Sequence, residues 1–89
     1  QLLTPGALAA GMDGSIYIGD YNLIRKILSD GTVRTVVKLN GSHVSYRYHL
    51  AVSPLDGTVY ISDPENHQIL RIKNNSDYTH PEKNWEPII

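Results

Sequence analysis

Apolar residues along this chain gather into short runs rich in Ile, Val and Tyr, separated by Gly, Asp, Asn and Pro. Runs of that length and composition, bounded by turn formers, read as β-strands rather than helices. Strands are predicted around Leu8–Ala10, Ser15–Gly19, Leu23–Leu28 and Thr32–Leu39, then around Tyr48–Val52, Thr58–Ser62 and Gln68–Lys73. An eighth is either Trp85–Ile89 or lies beyond the end. Asp13-Gly14, Asp30-Gly31 and Asp56-Gly57 mark hairpins, because glycine accepts the positive φ that tight two-residue turns require. Ile16-Tyr17-Ile18 and Val59-Tyr60-Ile61 are apolar at every position, as strands covered on both faces are.

The pattern repeats. Leu8–Asp20 lines up with Leu50–Asp63, so that the Asp-Gly pairs, Tyr17 with Tyr60, and Asp20 with Asp63 all recur 43 residues apart. Beyond the aspartate, Leu23–Ile27 is echoed by Ile69–Ile72 at an offset of 45, a two-residue insertion confined to a turn. A repeat of about 40–45 residues with four short strands has the size of a β-propeller blade. The fold class is therefore all-β: two four-stranded antiparallel blades, residues 1–46 and 47–89, the second with an irregular tail over 74–89. Two blades cannot close a ring of about 4–8 blades. The expectation is a partial domain, with outer faces uncovered and no independent stability.

Bulk properties narrow the function. Eight Lys and Arg against nine Asp and Glu give a net charge of −1. That balance lacks the basic footprint of a nucleic-acid binder and disfavours an RNA-binding propeller. The chain has no cysteine, so no disulfide frame or reactive thiol is available. It begins at Gln1, and its most apolar early stretch, Ala7–Ala10, is far too short for a signal sequence or a membrane span. Any anchor would lie outside this piece.

Candidate chemistry is sparse. No nucleophile elbow, zinc-protease helix or phosphate loop is present, and no cofactor or metal is implied. His43 and His49 match no zinc spacing; His67 sits in a repeat turn. Asp20 and Asp63 are read as turn-fixing carboxylates. Arg25 and Arg71 are read as equivalents that pair across strands or onto those turns, and Tyr17 and Tyr60 as core residues. Asn40-Gly41-Ser42 and Asn74-Asn75-Ser76 are N-glycosylation sequons in exposed connections. Tyr46 and Arg47 on one irregular loop, and Tyr78 and Trp85 on the tail, are residue types common at protein interfaces.

Asp63-Pro64-Glu65-Asn66-His67-Gln68-Ile69-Leu70-Arg71-Ile72 resembles the NHL repeat: a strand-ending Asp, Asn-His before an apolar pair, then Arg. Asp20-Tyr21-Asn22-Leu23-Ile24-Arg25-Lys26-Ile27 resembles a shortened form without the histidine. Within NHL proteins, Asp13–Arg25 and Tyr48–Pro54 are most similar to the teneurin family, over roughly residues 1–73. The resemblance implies a fragment of a single-pass membrane protein with EGF-like repeats, whose extracellular propeller is non-catalytic and serves cell–cell recognition and neuronal wiring. The partners it implies are proteins at the cell surface, a homophilic teneurin-like copy or a latrophilin-like receptor. The alternative is a calcium-dependent propeller enzyme of the lactonase or lyase type. Against it, the innermost segments, Thr4–Ala7 and Arg47–His49, offer no carboxylate to a hard cation.

Overall fold

The structure is a computed structural model, and it describes residues 5–40 and 48–89. Among the described residues eight strands run in chain order: β1 Pro5–Ala10, β2 Ile16–Asp20, β3 Leu23–Ile27, β4 Val33–Lys38, β5 His49–Val52, β6 Val59–Asp63, β7 Gln68–Ile72 and β8 Trp85–Pro87. They form two antiparallel four-stranded sheets, β1-β2-β3-β4 and β5-β6-β7-β8, so each repeat is one sheet. The fourth strand of the second unit is the terminal Trp85–Pro87. The boundary expected between Tyr46 and Arg47 falls outside the described residues.

The Asp-Gly turns are wider than two residues. Gly11 N–H donates to Ser15 C=O, and Leu28 N–H to Thr32 C=O, each closing a three-residue loop. Ser53 N–H donates to Thr58 C=O around a four-residue loop. Gly14, Gly31 and Gly57 end these loops at φ 83°, 90° and 78°. In loops of this length the glycine follows a turn in the left-handed region, rather than sitting inside a two-residue turn. The preceding aspartate completes the geometry by accepting the backbone N–H two residues on: Asp13 from Ser15 at 3.1 Å, Asp30 from Thr32 at 2.9 Å and Asp56 from Thr58 at 3.0 Å.

Register shows how the repeats correspond. Tyr17 lies opposite Lys26, and Tyr60 opposite Arg71. The insertion occupies the turn before β7, where Asp63 and Gln68 are joined by a 3-10 turn over Pro64–Asn66. In the first unit Asp20 and Leu23 are joined by two residues. Downstream of that insertion the counterpart of Arg71 is Lys26, and the counterpart of Arg25 is Leu70. The expected equivalence of Arg25 and Arg71 is thus corrected by one residue, and a one-residue shift puts a side chain on the opposite face.

The two sheets stack head to tail. Tyr17, Ile24 and Val37 of the first sheet pack on Val59, Ile61, Leu70 and Ile72 of the second, with Leu39 and Tyr48 completing one buried cluster. By register, the first sheet contributes its tyrosine-bearing face and the second contributes the opposite face. Each such aliphatic side chain removed from water is worth about 1.5–3 kcal/mol. The faces left outward are the Leu8–Ile16 side of the first sheet, where those residues are 68% and 40% exposed, and the Tyr60 side of the second. Tyr17 is buried as expected; Tyr60 is only half-buried, because among the described residues no further sheet covers its face.

Candidate functional site: the inter-sheet clamp and its loops

Lys26 is the least ordinary member of the interface. It is 1% exposed, in the middle of β3, on the face that meets the second sheet. Its Nζ lies 3.2 Å from Asp13 Oδ2, donates to the Asn75 carbonyl at 3.1 Å, and stands 5.4 Å and 5.8 Å from the ring centres of Tyr17 and Tyr78. A buried ammonium is tolerable only with such partners. Burial alone would pull its pKa down; the Asp13 hydrogen bond and the two tyrosines outweigh that, and the pKa lies above the usual lysine value. Asp13 is held down at about 2, first by the Ser15 hydroxyl, with its partly offsetting burial, and then by Lys26. The pair is charged throughout the physiological range.

The β7–β8 connection, residues 73–84, straps the sheets together around this lysine. Asn84 is buried and donates from Nδ2 to the Val36 carbonyl in β4 at 3.1 Å and to the Asn74 carbonyl at 2.7 Å. Its Oδ1 accepts the Asn74 N–H at 2.9 Å. Asn75 donates from Nδ2 to the Gly57 carbonyl at 2.8 Å. Arg34 places its guanidinium 5.6 Å from the Tyr78 ring centre, so two cations stand near that ring. Tyr78 and Trp85 both pack against the core cluster. The strap was not legible as such in the sequence. Its one signal was the density of asparagine in an otherwise irregular tail.

A second wedge enters from the other end. Tyr48, just before β5, is buried with its hydroxyl donating to the Tyr21 carbonyl at 2.9 Å. A Cβ built on Gly19 would come within 2.7 Å of the Tyr48 ring, so the ring seats where β2 has no side chain. The matching position in the second sheet is Ser62, and there an open cleft of about 450 Å³ lies among His49, Ser62, His67, Ile69 and Ile89. His67 takes a left-handed conformation, φ 54°, at the end of the 3-10 turn.

The remaining sequence candidates are dispersed. Asp20 and Asp63 sit in different sheets; Asp20 Oδ2 is 3.8 Å from Arg25 Nη1, and Asp63 accepts from the Asn66 side-chain amide at 2.9 Å. Arg71 pairs across strands with Glu86, Nε to Oε2 at 2.7 Å. No cluster of three metal-ligating side chains occurs among the described residues, and none of the helical turns among them is long and apolar enough to cross a membrane. Asn74 is exposed on the strap, and Asn40 is exposed at the end of β4. Tyr46, Arg47, His43 and the rest of the Asn40 sequon lie outside the described residues. The strap comes back to the end of β4, where Glu82 and Trp85 line one pocket with Lys38, Leu39 and Asn40.

Comparison with known proteins agrees with this architecture. The family model described as the Teneurin NHL domain matches residues 1–89. Teneurin-m of Drosophila melanogaster is 61% identical over 89 residues, all of this chain and 3% of that protein. Teneurin-3 of Mus musculus is 38% identical over 94 aligned residues, covering 99% of this chain and 4% of its own length. Teneurin-4 of Homo sapiens is 39% identical over 80 residues, 83% of this chain and 3% of that protein. The chain thus spans only a few per cent of the relatives it matches, and across its whole length it belongs to the teneurin family, within the NHL domain.

Proposed function

We propose that this chain is part of an extracellular, non-catalytic binding module, two blades of a propeller that holds loops rigidly for protein partners at the cell surface. The observation that carries the reading is the match of the whole chain to the Teneurin NHL domain. The head-to-tail stacking supports it, since a stack with unlike faces at its two ends is extended by further units. The work of the module in this reading is cell–cell recognition and neuronal wiring. Its partner is a second such protein on an opposing cell or a latrophilin-like receptor, and its parent is a single-pass, EGF-bearing membrane protein.

Loops on a rigid scaffold are where binding residues concentrate. Tyr78 and Trp85 are already engaged in packing between the sheets. We therefore assign partner contact first to the connection that carries Tyr46 and Arg47, and only secondarily to the outer edges of Tyr78 and Trp85. Cells displaying the full-length protein are mixed with cells displaying either partner, and aggregation is scored at matched surface amounts. Loss of aggregation with Tyr46→Ala and Arg47→Ala supports the assignment. Unchanged aggregation moves the contact to another surface. Absence of aggregation with both partners, joined to calcium-dependent lactone turnover, would transfer the reading to the enzymatic alternative.

A further inference from the structure

We propose that Asn74 is an N-glycan acceptor, presented by a turn that leaves its amide nitrogen free. Five Asx-x-Ser/Thr segments occur among the described residues: Asp13–Ser15, Asp30–Thr32, Asp56–Thr58, Asn74–Ser76 and Asp77–Thr79. In each, the side-chain oxygen of the first residue accepts the backbone N–H of the third, at 2.9 Å for Asn74 and Ser76. Four of the five use aspartate, so the turn itself has no need of an amide. Asparagine at position 74 adds one group to the shared geometry, the Nδ2 nitrogen.

The orientation of that nitrogen follows from the turn. Ser76 N–H is a donor, so the atom facing it is oxygen, and Nδ2 occupies the other branch. Asn22, Asn66, Asn75 and Asn84 each donate from Nδ2 to a protein acceptor. The bonds of Asn74 run instead through its backbone and Oδ1. Its side chain is exposed. At Ser15, Thr32 and Thr79 the hydroxyl also turns onto the carboxylate of its own turn; at Ser76 the bond to Asn74 is the backbone one, which leaves the sequon hydroxyl for a transferase. The donor is a polyprenyl-diphosphate-linked oligosaccharide. Asn74 Nδ2 attacks the anomeric carbon, the bond from that carbon to the diphosphate oxygen breaks, Nδ2 loses one proton, and the polyprenyl diphosphate departs. No redox change occurs.

The proposal rests on the extracellular reading, because such donors are used in the secretory lumen. The full-length protein is expressed in animal cells, labelled at the surface with a membrane-impermeant reagent, recovered and digested with trypsin. The peptide 74–83 is then read by mass spectrometry before and after glycosidase treatment. Occupancy is expected in the surface-labelled wild type. It is expected to vanish in Ser76→Ala, which keeps the backbone bond, and in Asn74→Asp, which keeps the turn acceptor, while Ser76→Thr restores it; surface amounts stay unchanged in all three. An unmodified 74–83 peptide from surface-labelled protein overturns the proposal and leaves the extracellular reading standing. Protein that takes no surface label and carries no glycan on any peptide overturns both.

Discussion

The first sheet hides Gly19, Ile24 and Lys26 beneath its neighbour. In the second sheet their counterparts by register, Ser62, Ile69 and Arg71, face outward. Ile24 is fully buried and Ile69 is half-buried; Lys26 is enclosed, whereas Arg71 is exposed and pairs with Glu86. The groove over Gly19 holds the Tyr48 ring, and the groove over Ser62 is a cleft. One strand pattern therefore yields two environments, and position in the stack, rather than local sequence, separates them. The comparison teaches that burial in such an array is a property of neighbours, as expected of quasi-one-dimensional assemblies.

The sharpest way to break the comparison is to remove the two equivalent isoleucines in a longer chain carrying further repeats. Ile24→Ala is expected to cost about 2–5 kcal/mol, as large-to-small changes in a packed core do. Ile69→Ala is expected to approach it there, because a following unit covers its face. Urea denaturation of both variants decides the matter: a costless Ile69→Ala would mean that the Tyr60 face stays open in the assembled protein.

The glycine–serine pair gives the next largest effect. Gly19→Ala drives a methyl group into the Tyr48 ring, and overpacking of this kind costs about 1–3 kcal/mol. Ser62→Ala is expected to be nearly silent. Equal midpoint shifts for the two in the same denaturation series would contradict the wedge.

The cation pair separates buried from exposed electrostatics. Lys26→Ala deletes a packed stem as well as a charge, and a loss of about 2 kcal/mol is expected, within the usual range for buried substitutions. Arg71→Ala removes an exposed pair, worth about 1 kcal/mol or less. Thermal melts of the two variants side by side test the order.

Acid provides the smallest effect. Asp13 is held down at about 2 in the folded state, below the ordinary aspartate value. The stability it contributes is complete above the unfolded-state pKa and is lost as pH falls through about 2. The carboxylate is solvent-screened, so the contribution is less than about 1 kcal/mol. Between pH 4 and pH 2, Asp13→Asn is expected to melt with a shallower pH dependence than wild type, and parallel curves would remove Asp13 from the clamp.

Much of this was legible in the residues. Strand locations follow from the Ile, Val and Tyr runs between Asp-Gly turns, and the unit length follows from the 43-residue recurrence of Tyr17 and Asp20. The expected equivalence of Arg25 and Arg71 fails by one residue, because the 45-residue offset beyond the β6–β7 turn pairs Lys26 with Arg71, as the ladder confirms. The strap is not legible in the sequence because its bonds run from Asn75 and Asn84 to backbone carbonyls far away along the chain, at Gly57 and Val36. Backbone acceptors leave no trace in residue identity.

The sequence by itself determined the local elements: strands, loop-closing glycines, the Asx turns and the repeat. Each depends on interactions within a few residues, where side-chain type and spacing are sufficient. Tertiary structure alone decided which of two similar faces is buried, that Lys26 is enclosed while Arg71 is not, that Tyr48 seats on Gly19, and that Asn84 commits its amide to the Val36 carbonyl. Those outcomes depend on what stacks against each sheet. Burial and desolvation are set by neighbours distant in the chain, and no local pattern encodes them.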